Sequence, residues 1–298
     1  MSEAWVPPPV PAKRPLRLRD WFRVARRGLP ALLLLLVSFP ILLILRLPER
    51  AIWGMDRPLT PWITQAVCVI LCALIGLERR VSGQPMPQRG AFVANHSTWL
   101  DILALNASKR LYFVAKSEVH GWAGIGWLAR GTGTVFIERN RLRAKEQQQL
   151  FEDRLSAGHK LLFFPEGTST DGVRVLPFKT TLFQAFFSDA LRDFLHIQPV
   201  SLRYSPPEGE GADYYGWWGD MDFASNLIRV LSTKRQGRID VIYHEALKVA
   251  DFADRKALAL AVEEAVRTGF DQTPTTLSIS DPAADSITAS TPEAPTKR

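Results

Sequence analysis

The sequence predicts an α/β fold: a layered domain with a mixed sheet flanked by helices, preceded by a pair of apolar helices that anchors it to a membrane. Between about residues 86 and 270, short β-rich runs alternate with helical stretches, as in domains built from strand–helix units. Before them lie two charge-free segments, residues 28–45 and 58–77, whose lengths approach the thickness of a hydrocarbon core.

Composition limits the classes of protein to which the chain can belong. Of its 298 residues, 46% are hydrophobic and 22% are charged, so most of the chain can build a core. Its two cysteines exclude a disulfide scaffold and a cysteine-based zinc module. The net charge of +7 comes without a basic motif interleaved with aromatic residues, so we expect no nucleic-acid partner. The histidines outside the motif described below lack ligand spacing, and we expect no metal and no cofactor.

The composition divides the chain into four regions. Residues 1–27 hold seven cationic and two acidic side chains and five prolines, which predicts a basic arm with an irregular first half. Residues 28–80 form the helical anchor, and residues 86–270 form the α/β domain. Residues 272–298 hold ten Ser or Thr, four Pro and no aromatic residue, a composition typical of a disordered tail.

Three arrangements of the anchor compete. It is a pair of spanning helices, or two helices lodged in one leaflet, or, much less favoured, a pair of buried core helices. Pro30 and Pro40 would kink the first helix, which favours the shallow position. The cationic arm and Arg79–Arg80 place both ends on the cytoplasmic side. Tryptophans flank the two apolar runs, at the depth where indoles anchor to headgroups: Trp21, Trp53 and Trp62.

The α/β region alternates regularly. Strands are predicted at residues 91–94, 111–115, 134–137, 161–164, 197–202 and 239–243. Helices are predicted at residues 97–108, 139–156, 179–190 and 254–268.

The strongest chemical motif is the block of residues 95–101, Asn-His-Ser-Thr-Trp-Leu-Asp. It follows an apolar strand and opens a helix, so His96 lies at the strand's carboxyl end, where α/β sheets place their ligands. If His96 precedes the first helical turn, Asp101 comes back beneath it and fixes the imidazole tautomer. Such a pair suits the deprotonation of a hydroxyl. Taken alone, the block is better explained as a capped helix start with a merely satisfied histidine, and the other motifs overturn that interpretation.

A second block, residues 164–168, reads Phe-Pro-Glu-Gly-Thr and follows another predicted strand. Its turn brings Glu166 and exposed amides to the same edge of the sheet, although Pro-Glu-Gly alone is an ordinary turn. Arg139 ends the strand before it, in Phe-Ile-Glu-Arg at residues 136–139. The chain has no Gly-x-Ser-x-Gly elbow, which favours direct attack by the substrate's own hydroxyl on an acyl thioester.

Together these blocks resemble the glycerolipid (lysophospholipid) acyltransferase family, in order and spacing, over about residues 86–205. The matching motifs are Asn-His-x-x-x-x-Asp at 95–101, Phe-x-x-Arg at 136–139, Phe-Pro-Glu-Gly-Thr at 164–168 and a late strand proline, Pro199. The resemblance implies that His96 is the general base and that Asp101 orients it. It also implies that Lys116 lies near the thioester as an oxyanion or donor-side residue. The implied acceptor-binding residues are Arg139, Glu166, Gly167 and Thr168.

The acceptor class is suggested by a departure from the family pattern. Members that acylate lysophosphatidate often read Glu-Gly-Thr-Arg, whereas this chain has Ser169 at the arginine position. The loss of a guanidinium weakens the case for a phosphate acceptor. The aromatic segment at residues 214–222 resembles the lyso-ornithine lipid branch, where Asp220 or Asp222 beside Arg139 would complement a cationic amine and a carboxylate. A surface loop packed on the membrane explains the segment equally well.

The sequence therefore predicts an O-acyltransferase of a bacterial inner membrane with its catalytic domain facing the cytoplasm. The expected product is ornithine lipid from lyso-ornithine lipid, with 1-acylglycerol-3-phosphate acylation as the alternative. The donor is acyl carrier protein or a coenzyme A thioester. The basic stretch at residues 139–145 would dock either one, or is a solvated helix face. A rival of another class is a non-catalytic, membrane-tethered lipid-binding protein.

Overall fold

A computed structural model describes residues 5–12, 14–122, 124–138 and 143–272 of the chain. The helices in these residues are α1 Leu18–Trp53, α2 Thr60–Ile75, α3 Leu100–Ser108, α4 Ile125–Thr132, α5 Ala144–Ser156, α6 Phe223–Ser232 and α7 Arg255–Asp271. The strands are β1 Glu78–Ser82, β2 Gly90–Ala94, β3 Tyr112–Lys116, β4 Val135–Ile137, β5 Leu161–Phe163, β6 His196–Ser205, β7 Arg238–Tyr243 and β8 Leu247–Lys248. Short 3₁₀ helices cover Ser117–Gly121, Thr180–Phe187 and Val249–Asp251.

The strands form one mixed sheet in the order β1-β7-β6-β2-β5-β3-β4, and β8 pairs with the start of β6. Strands β6, β2, β5, β3 and β4 run parallel to one another, whereas β7 runs antiparallel to β6. The carboxyl ends of these five parallel strands therefore meet at one edge, which we call the carboxyl edge. The predicted mixed sheet with flanking helices is confirmed.

Strand β2 lies at the centre of the core, and all five of its residues are buried. Phe92 and Ala94 pack in the apolar layer that α2, α3 and α6 cover, whereas Ala91 and Val93 pack in the layer that α5 and α7 cover. This alternation follows from the two-residue period of a strand. A strand buried on both faces is typical of parallel sheets covered by helices. Its position in the core holds the chain rigidly at the point where the carboxyl edge begins.

Helix α1 is a single element of 36 residues that continues through Pro30, Pro40 and Pro48. It begins ten residues before the predicted apolar run, so the end of the basic arm is helical. Its most apolar 18-residue window has a mean hydropathy of 2.6, and only 6% of that window is buried. By length and composition α1 can cross a membrane, whereas α2, with 16 residues, is shorter.

The two N-terminal helices are attached to the sheet domain by different kinds of contact. Helix α2 packs on α3, where the buried thiols Cys68 and Cys72 lie against Ala107. Helix α1 is tied to α6 by the buried guanidinium of Arg27, which donates to the carbonyl oxygens of Leu231 and Thr233. Those carbonyls belong to the last turn of α6 and the residue after it, where main-chain acceptors lack helical partners. One arginine thus caps a helix and fixes the anchor.

The structure differs from the predicted elements in several places. Helices α4 and α6 were not among the predicted helices. Strand β1 was not predicted, because its sequence, Glu-Arg-Arg-Val-Ser, is that of a charged strand at the edge of a sheet. The two-residue strand β8 is too short to leave a pattern. The helix predicted at residues 179–190 is a 3₁₀ helix, Thr180–Phe187, in which Phe183 and Phe186 are buried three residues apart, the period of a 3₁₀ turn.

Some predicted features fall outside the described residues. They are the first four residues of the arm together with Lys13, the site residue Arg139 with residues 140–142, and residues 273–298 of the predicted tail.

Candidate active site at the carboxyl edge

The site begins where β2 ends and the chain turns across the carboxyl edge. The Asn95 side chain, 1% exposed, pairs with the main chain of Leu202 on β6: its amide nitrogen donates to the Leu202 carbonyl and its oxygen accepts from the Leu202 N–H, both at 2.8 Å. The side chain thereby supplies two hydrogen bonds where the ladder between β2 and β6 stops. The start of the turn is fixed by this pairing.

The structure brings His96 and Asp101 together. His96 lies in the turn before α3, and Asp101 lies in the first turn of that helix. The imidazole Nδ1 is 2.7 Å from Asp101 Oδ2. Because an ionised carboxylate only accepts hydrogen bonds, Nδ1 carries the proton and Nε2 presents its lone pair. This is the arrangement that a histidine needs in order to act as a base.

Asp101 is held by more than the histidine. Its side chain is fully buried, and Oδ2 also accepts from the main-chain N–H groups of Ser97 at 2.8 Å and Thr98 at 3.1 Å. Oδ1 accepts from the hydroxyl of Tyr204 at 2.7 Å. Among the described residues, the only ion pair of this carboxylate is with His96. Hydrogen bonds from uncharged donors therefore stabilise the buried carboxylate beside the imidazole.

The His96 ring is fixed from the other side by the second motif. It stacks on the Phe164 ring with centroids 4.0 Å apart and planes 11° apart. The His96 side chain is 19% exposed, so the ring is wedged between the carboxylate and an aromatic face but keeps an opening to its surroundings. Rigid placement of this kind holds Nε2 in one orientation for proton transfer.

Glu166 lies beneath this turn and does not line the opening. It is 2% exposed, and its oxygens accept from the main-chain N–H groups of His96 at 2.7 Å and Leu176 at 2.8 Å. Burial raises the pKa of Glu166 to about 8, and the two amide donors oppose that rise. The contacts of the carboxyl group join the loop of the second motif to the turn that carries His96.

Gly167 and Thr168 form the tip of that loop. Gly167 has a φ of +72°, and a Cβ at this position would lie 2.5 Å from the Lys179 ammonium nitrogen, so both the backbone and the neighbouring side chain favour glycine. Thr168 is exposed. Thr170, two residues on, donates its N–H to the carbonyl of His96 at 3.0 Å. Lys179 was not selected from the sequence, and only the fold places it over the loop.

Lys116 ends β3 at the carboxyl edge and is partly buried. β5 separates β3 from β2, so two interstrand spacings, about 10 Å, separate the backbone of Lys116 from the strand that leads to His96. β4 ends at Ile137 on the same edge, two residues before Arg139. The structure thus places the carboxyl ends of β2, β5, β3 and β4 side by side at one edge of the sheet.

Comparison with known proteins identifies the family. The Acyltransferase family model matches residues 78–203. A lyso-ornithine lipid O-acyltransferase of Rhodobacter capsulatus is 53% identical over 90% of this chain and 97% of its own length. A lyso-ornithine lipid O-acyltransferase of Rhizobium meliloti is 32% identical over 83% and 86%. The chain belongs to the acyltransferase family.

Two further proteins extend this comparison. A 1-acyl-sn-glycerol-3-phosphate acyltransferase of Neisseria meningitidis is 34% identical over 66% of this chain and 76% of its own length. The crystal structure of the 1-acyl-sn-glycerophosphate acyltransferase of Thermotoga maritima covers 82% of this chain and 95% of that one, with a TM-score of 0.53 and 22% identity. At that identity the likeness concerns the fold, and it confirms the predicted architecture.

The aromatic segment at residues 214–222 packs into this acyltransferase instead of forming a loop on its surface. Tyr214, Tyr215 and Trp218 are buried, which corrects the interpretation of the segment as a membrane-packed surface loop. Trp217 donates its N–H to the carbonyl of Ser97 at 2.9 Å, and its own carbonyl accepts from the Ser169 hydroxyl. The segment therefore forms one wall beside His96.

Sequence reasoning missed Tyr204, which completes the contacts of the acyltransferase dyad. Tyr204 is buried, and the centroid of the Tyr215 ring lies 5.1 Å from that of its own ring. Val200, Leu202 and Tyr204 alternate along β6 and pack in the same core layer. The signal available for this residue was its place in the alternation. Tyr204 occupies the last of the three positions, near the carboxyl end of a strand that lies beside β2. The strand order needed to use that signal was not in the sequence.

Proposed function

We propose that this acyltransferase moves a fatty acyl group from an acyl thioester to the free hydroxyl of lyso-ornithine lipid, which gives ornithine lipid. The observation that carries the proposal is the 2.7 Å contact between His96 Nδ1 and a buried Asp101, which leaves Nε2 as a base at the carboxyl edge. The names of the relatives from Rhodobacter capsulatus and Rhizobium meliloti support the acceptor. The intact dyad argues against a non-catalytic lipid-binding protein.

The proposed reaction needs one base and no acyl-enzyme. Nε2 of His96 takes the proton of the acceptor hydroxyl while that oxygen attacks the thioester carbonyl carbon. The buried Asp101 carboxylate stabilises the imidazolium that forms. The tetrahedral oxyanion collapses, the carbon–sulfur bond breaks, and the sulfur takes the proton back from His96 and leaves as a thiol. Lys116 is the proposed electrostatic partner of the oxyanion from its position at the end of β3.

Direct transfer is favoured because no described hydroxyl or thiol forms a nucleophile–base pair with His96. The Ser97 hydroxyl, next to it in the chain, is buried and has no hydrogen-bond partner among the described residues. Cys68 and Cys72 are buried on α2, in the layer between α2 and α3. A histidine without a protein nucleophile leaves the acceptor's hydroxyl as the attacking group.

The acceptor-binding part of the proposal rests on the loop that Glu166 holds. This loop presents Gly167 and Thr168 at its tip. Arg139 is the proposed cationic partner of the acceptor's headgroup. Ser169 stands where a phosphate-binding arginine would lie and is engaged with the Trp217 carbonyl, which favours an amino-acid headgroup over a phosphate. Lysophosphatidate remains the second candidate acceptor because the Neisseria meningitidis relative, 34% identical, carries that activity in its name.

We further propose that the anchor lies in one leaflet and does not span the bilayer. Gly131 on α4 packs so closely on the middle of α1 that a Cβ there would lie 2.4 Å from the Phe39 ring. The Arg57 guanidinium, in the loop between α1 and α2, donates to the Gly131 carbonyl at 3.0 Å. A spanning α1 would carry α4, with Arg130 and its polar turns, into hydrocarbon, where unpaired polar groups are costly.

A shallow α1 avoids that cost and uses the side chains that the domain leaves uncovered. Its exposed face presents apolar residues to lipid: Leu29, Leu33, Leu36, Ile44 and Leu47. Trp127 on α4, 66% exposed, would lie at the interface beside it. The proposed location is the cytoplasmic face of a bacterial inner membrane, with acyl carrier protein or coenzyme A as the source of the thioester.

The test is a competition between acceptors. Purified protein in detergent receives one labelled acyl thioester together with equal amounts of lyso-ornithine lipid and lysophosphatidate, and the two labelled products are separated. We expect ornithine lipid to form faster, with either carrier protein or coenzyme A as donor. Faster formation of phosphatidate would overturn the proposed acceptor, and no labelled product from either would favour the lipid-binding rival.

A further inference from the structure

A cavity outside the acyl-transfer site lies where α1 begins, and we call it the α1 cavity. It has a volume of about 480 Å³ and lies between the first turns of α1, the loop at residues 207–210 and residues 232–235 after α6. Six cationic side chains line it: Arg14, Arg17, Arg19, Arg23, Lys234 and Arg235.

The cationic charge of this cavity exceeds what the protein neutralises. Its acidic lining residues are Asp20, Glu208 and Glu210, so six cations face three carboxylates and the net charge is +3. Asp20 pairs with Arg23, and Glu210 lies 3.9 Å from Arg14. The other four cationic side chains form no ion pair within the described part of the chain. A concave surface with unpaired guanidinium groups attracts anions, since its walls focus the field.

The position of the cavity relates it to the membrane. Leu18 and Phe22 are 90% and 69% exposed, and they continue the face of α1 that carries Leu29 and Leu33, because residues four and seven apart share a helix face. The cavity residue Arg19 lies on the neighbouring face. An α1 that lies in one leaflet therefore brings the α1 cavity to the depth where acyl chains give way to headgroups.

We propose that the α1 cavity binds the phosphate headgroup of an anionic membrane lipid. The inference rests on the one-leaflet position proposed above and concerns a site separate from the acyl-transfer site. Basic pockets beside a membrane helix suit compact anionic headgroups. An acidic carrier protein is a poorer fit, because lipid covers the adjoining Leu18 and Phe22 when α1 lies in one leaflet.

Headgroup binding would bear on the active site through α6. The last turn of α6 lies against the cavity and is capped by Arg27. Its first residue, Phe223, contacts the rings of Trp99 and Trp217 beside His96. The ten residues of α6 span about 15 Å. A lipid held in the cavity would therefore fix how the carboxyl edge faces the membrane.

The test is vesicle binding, which needs no acyl transfer. Full-length protein is mixed with vesicles of phosphatidylcholine alone or of phosphatidylcholine with phosphatidylglycerol, and bound protein is measured by flotation. The variant is Lys234→Gln with Arg235→Gln. The matched control is Lys248→Gln with Lys256→Gln, two exposed cations on β8 and α7. We expect the variant to lose about 10- to 30-fold in binding to phosphatidylglycerol vesicles, and the control to lose much less.

Other results would overturn the proposal in distinguishable ways. Equal losses in variant and control would show a general charge effect without a site. Thermal stabilisation by inorganic phosphate in detergent that is lost in the variant, without any change in vesicle preference, would assign the cavity to a soluble anion. A variant with normal vesicle binding but a raised KM for acyl carrier protein thioester would assign it to the carrier. Failure of the wild type to bind any vesicle would refute the membrane position itself.

Discussion

The contact between Tyr204 and Asp101 is the part of the dyad that the structure adds to the sequence motifs. The Tyr204 hydroxyl donates to Oδ1 at 2.7 Å, one of four hydrogen bonds to a carboxylate with no exposed surface. Tyr204→Phe removes this donor alone and leaves the ring in place. Loss of a hydrogen bond to a buried charged group lowers the free energy of unfolding by about 1.5–3 kcal/mol. We therefore expect a lower melting temperature together with a lower kcat/KM.

A split between kcat and KM separates a positioning role from a structural one. Without the tyrosine donor, three hydrogen bonds in place of four hold the Asp101 carboxylate, and it orients the His96 imidazole less rigidly. Because Tyr204 is buried away from the acceptor, we expect kcat to fall while KM for the acceptor lipid stays near the wild-type value. The assay is initial-rate transfer from a labelled thioester over a range of acceptor concentrations, with folding followed by circular dichroism.

Tyr215→Phe is the matched control. Tyr215 is 1% exposed and packs on Tyr204, but its hydroxyl donates to Gln236 at 2.9 Å and has no contact with Asp101. We expect this variant to lose stability while its kcat stays near that of the wild type. If Tyr204→Phe lowered kcat no more than Tyr215→Phe does, Tyr204 would be a structural residue and the reasoning would be refuted.

Three other substitutions test the loop beside the dyad. Burial raises the pKa of Glu166 to about 8 from 4.5, so folding favours its protonated form. The stability that this protonation contributes is complete below about pH 4.5 and is lost as pH rises through 8. Glu166→Gln removes that pH dependence and one acceptor for a main-chain N–H. In urea titrations, the free energy of unfolding of the variant should therefore fall below that of the wild type by an amount that is largest at low pH and shrinks towards pH 9. A difference that stays constant with pH would contradict this. Gly167→Ala should cost about 1–2 kcal/mol of unfolding free energy because of the positive φ and the crowding by Lys179, measured by denaturant titration; an unchanged midpoint would show that the loop adapts. Ser169→Arg frees the Trp217 carbonyl and adds a guanidinium, so the ratio of kcat/KM for lysophosphatidate to that for lyso-ornithine lipid should rise. An unchanged ratio would show that residue 169 does not determine which acceptor the enzyme prefers.

The sequence predicted the strands that carry chemistry because they are buried on both faces. Residues 90–94 and 161–163 are continuous apolar runs, and such runs stay visible without tertiary information. The offset of five between His96 and Asp101 could also be interpreted from the sequence, because a strand end followed by a helix start leaves few conformations for the turn.

What the sequence could not provide was the order of strands across the sheet. Tyr204 reaches Asp101 because β6 lies next to β2, although 103 residues separate the two side chains. The inward direction of Glu166 likewise depends on the N–H group of Leu176, ten residues further along the loop. The surface-loop interpretation of the aromatic segment failed for the same reason. The buried Trp218 donates its indole N–H to the Pro8 carbonyl of the N-terminal arm at 2.8 Å, a contact between residues 210 positions apart.

The most direct test of the account is the turnover of His96→Ala beside His196→Ala. Both replace a histidine, but His196 starts β6 at the opposite edge of the sheet. With saturating lyso-ornithine lipid and a labelled acyl thioester, we expect His96→Ala to lose about 10²–10⁴-fold in rate while His196→Ala stays near the wild type. A His96→Ala enzyme that still forms labelled ornithine lipid at the wild-type rate would contradict the claim that this imidazole takes the proton of the acceptor hydroxyl.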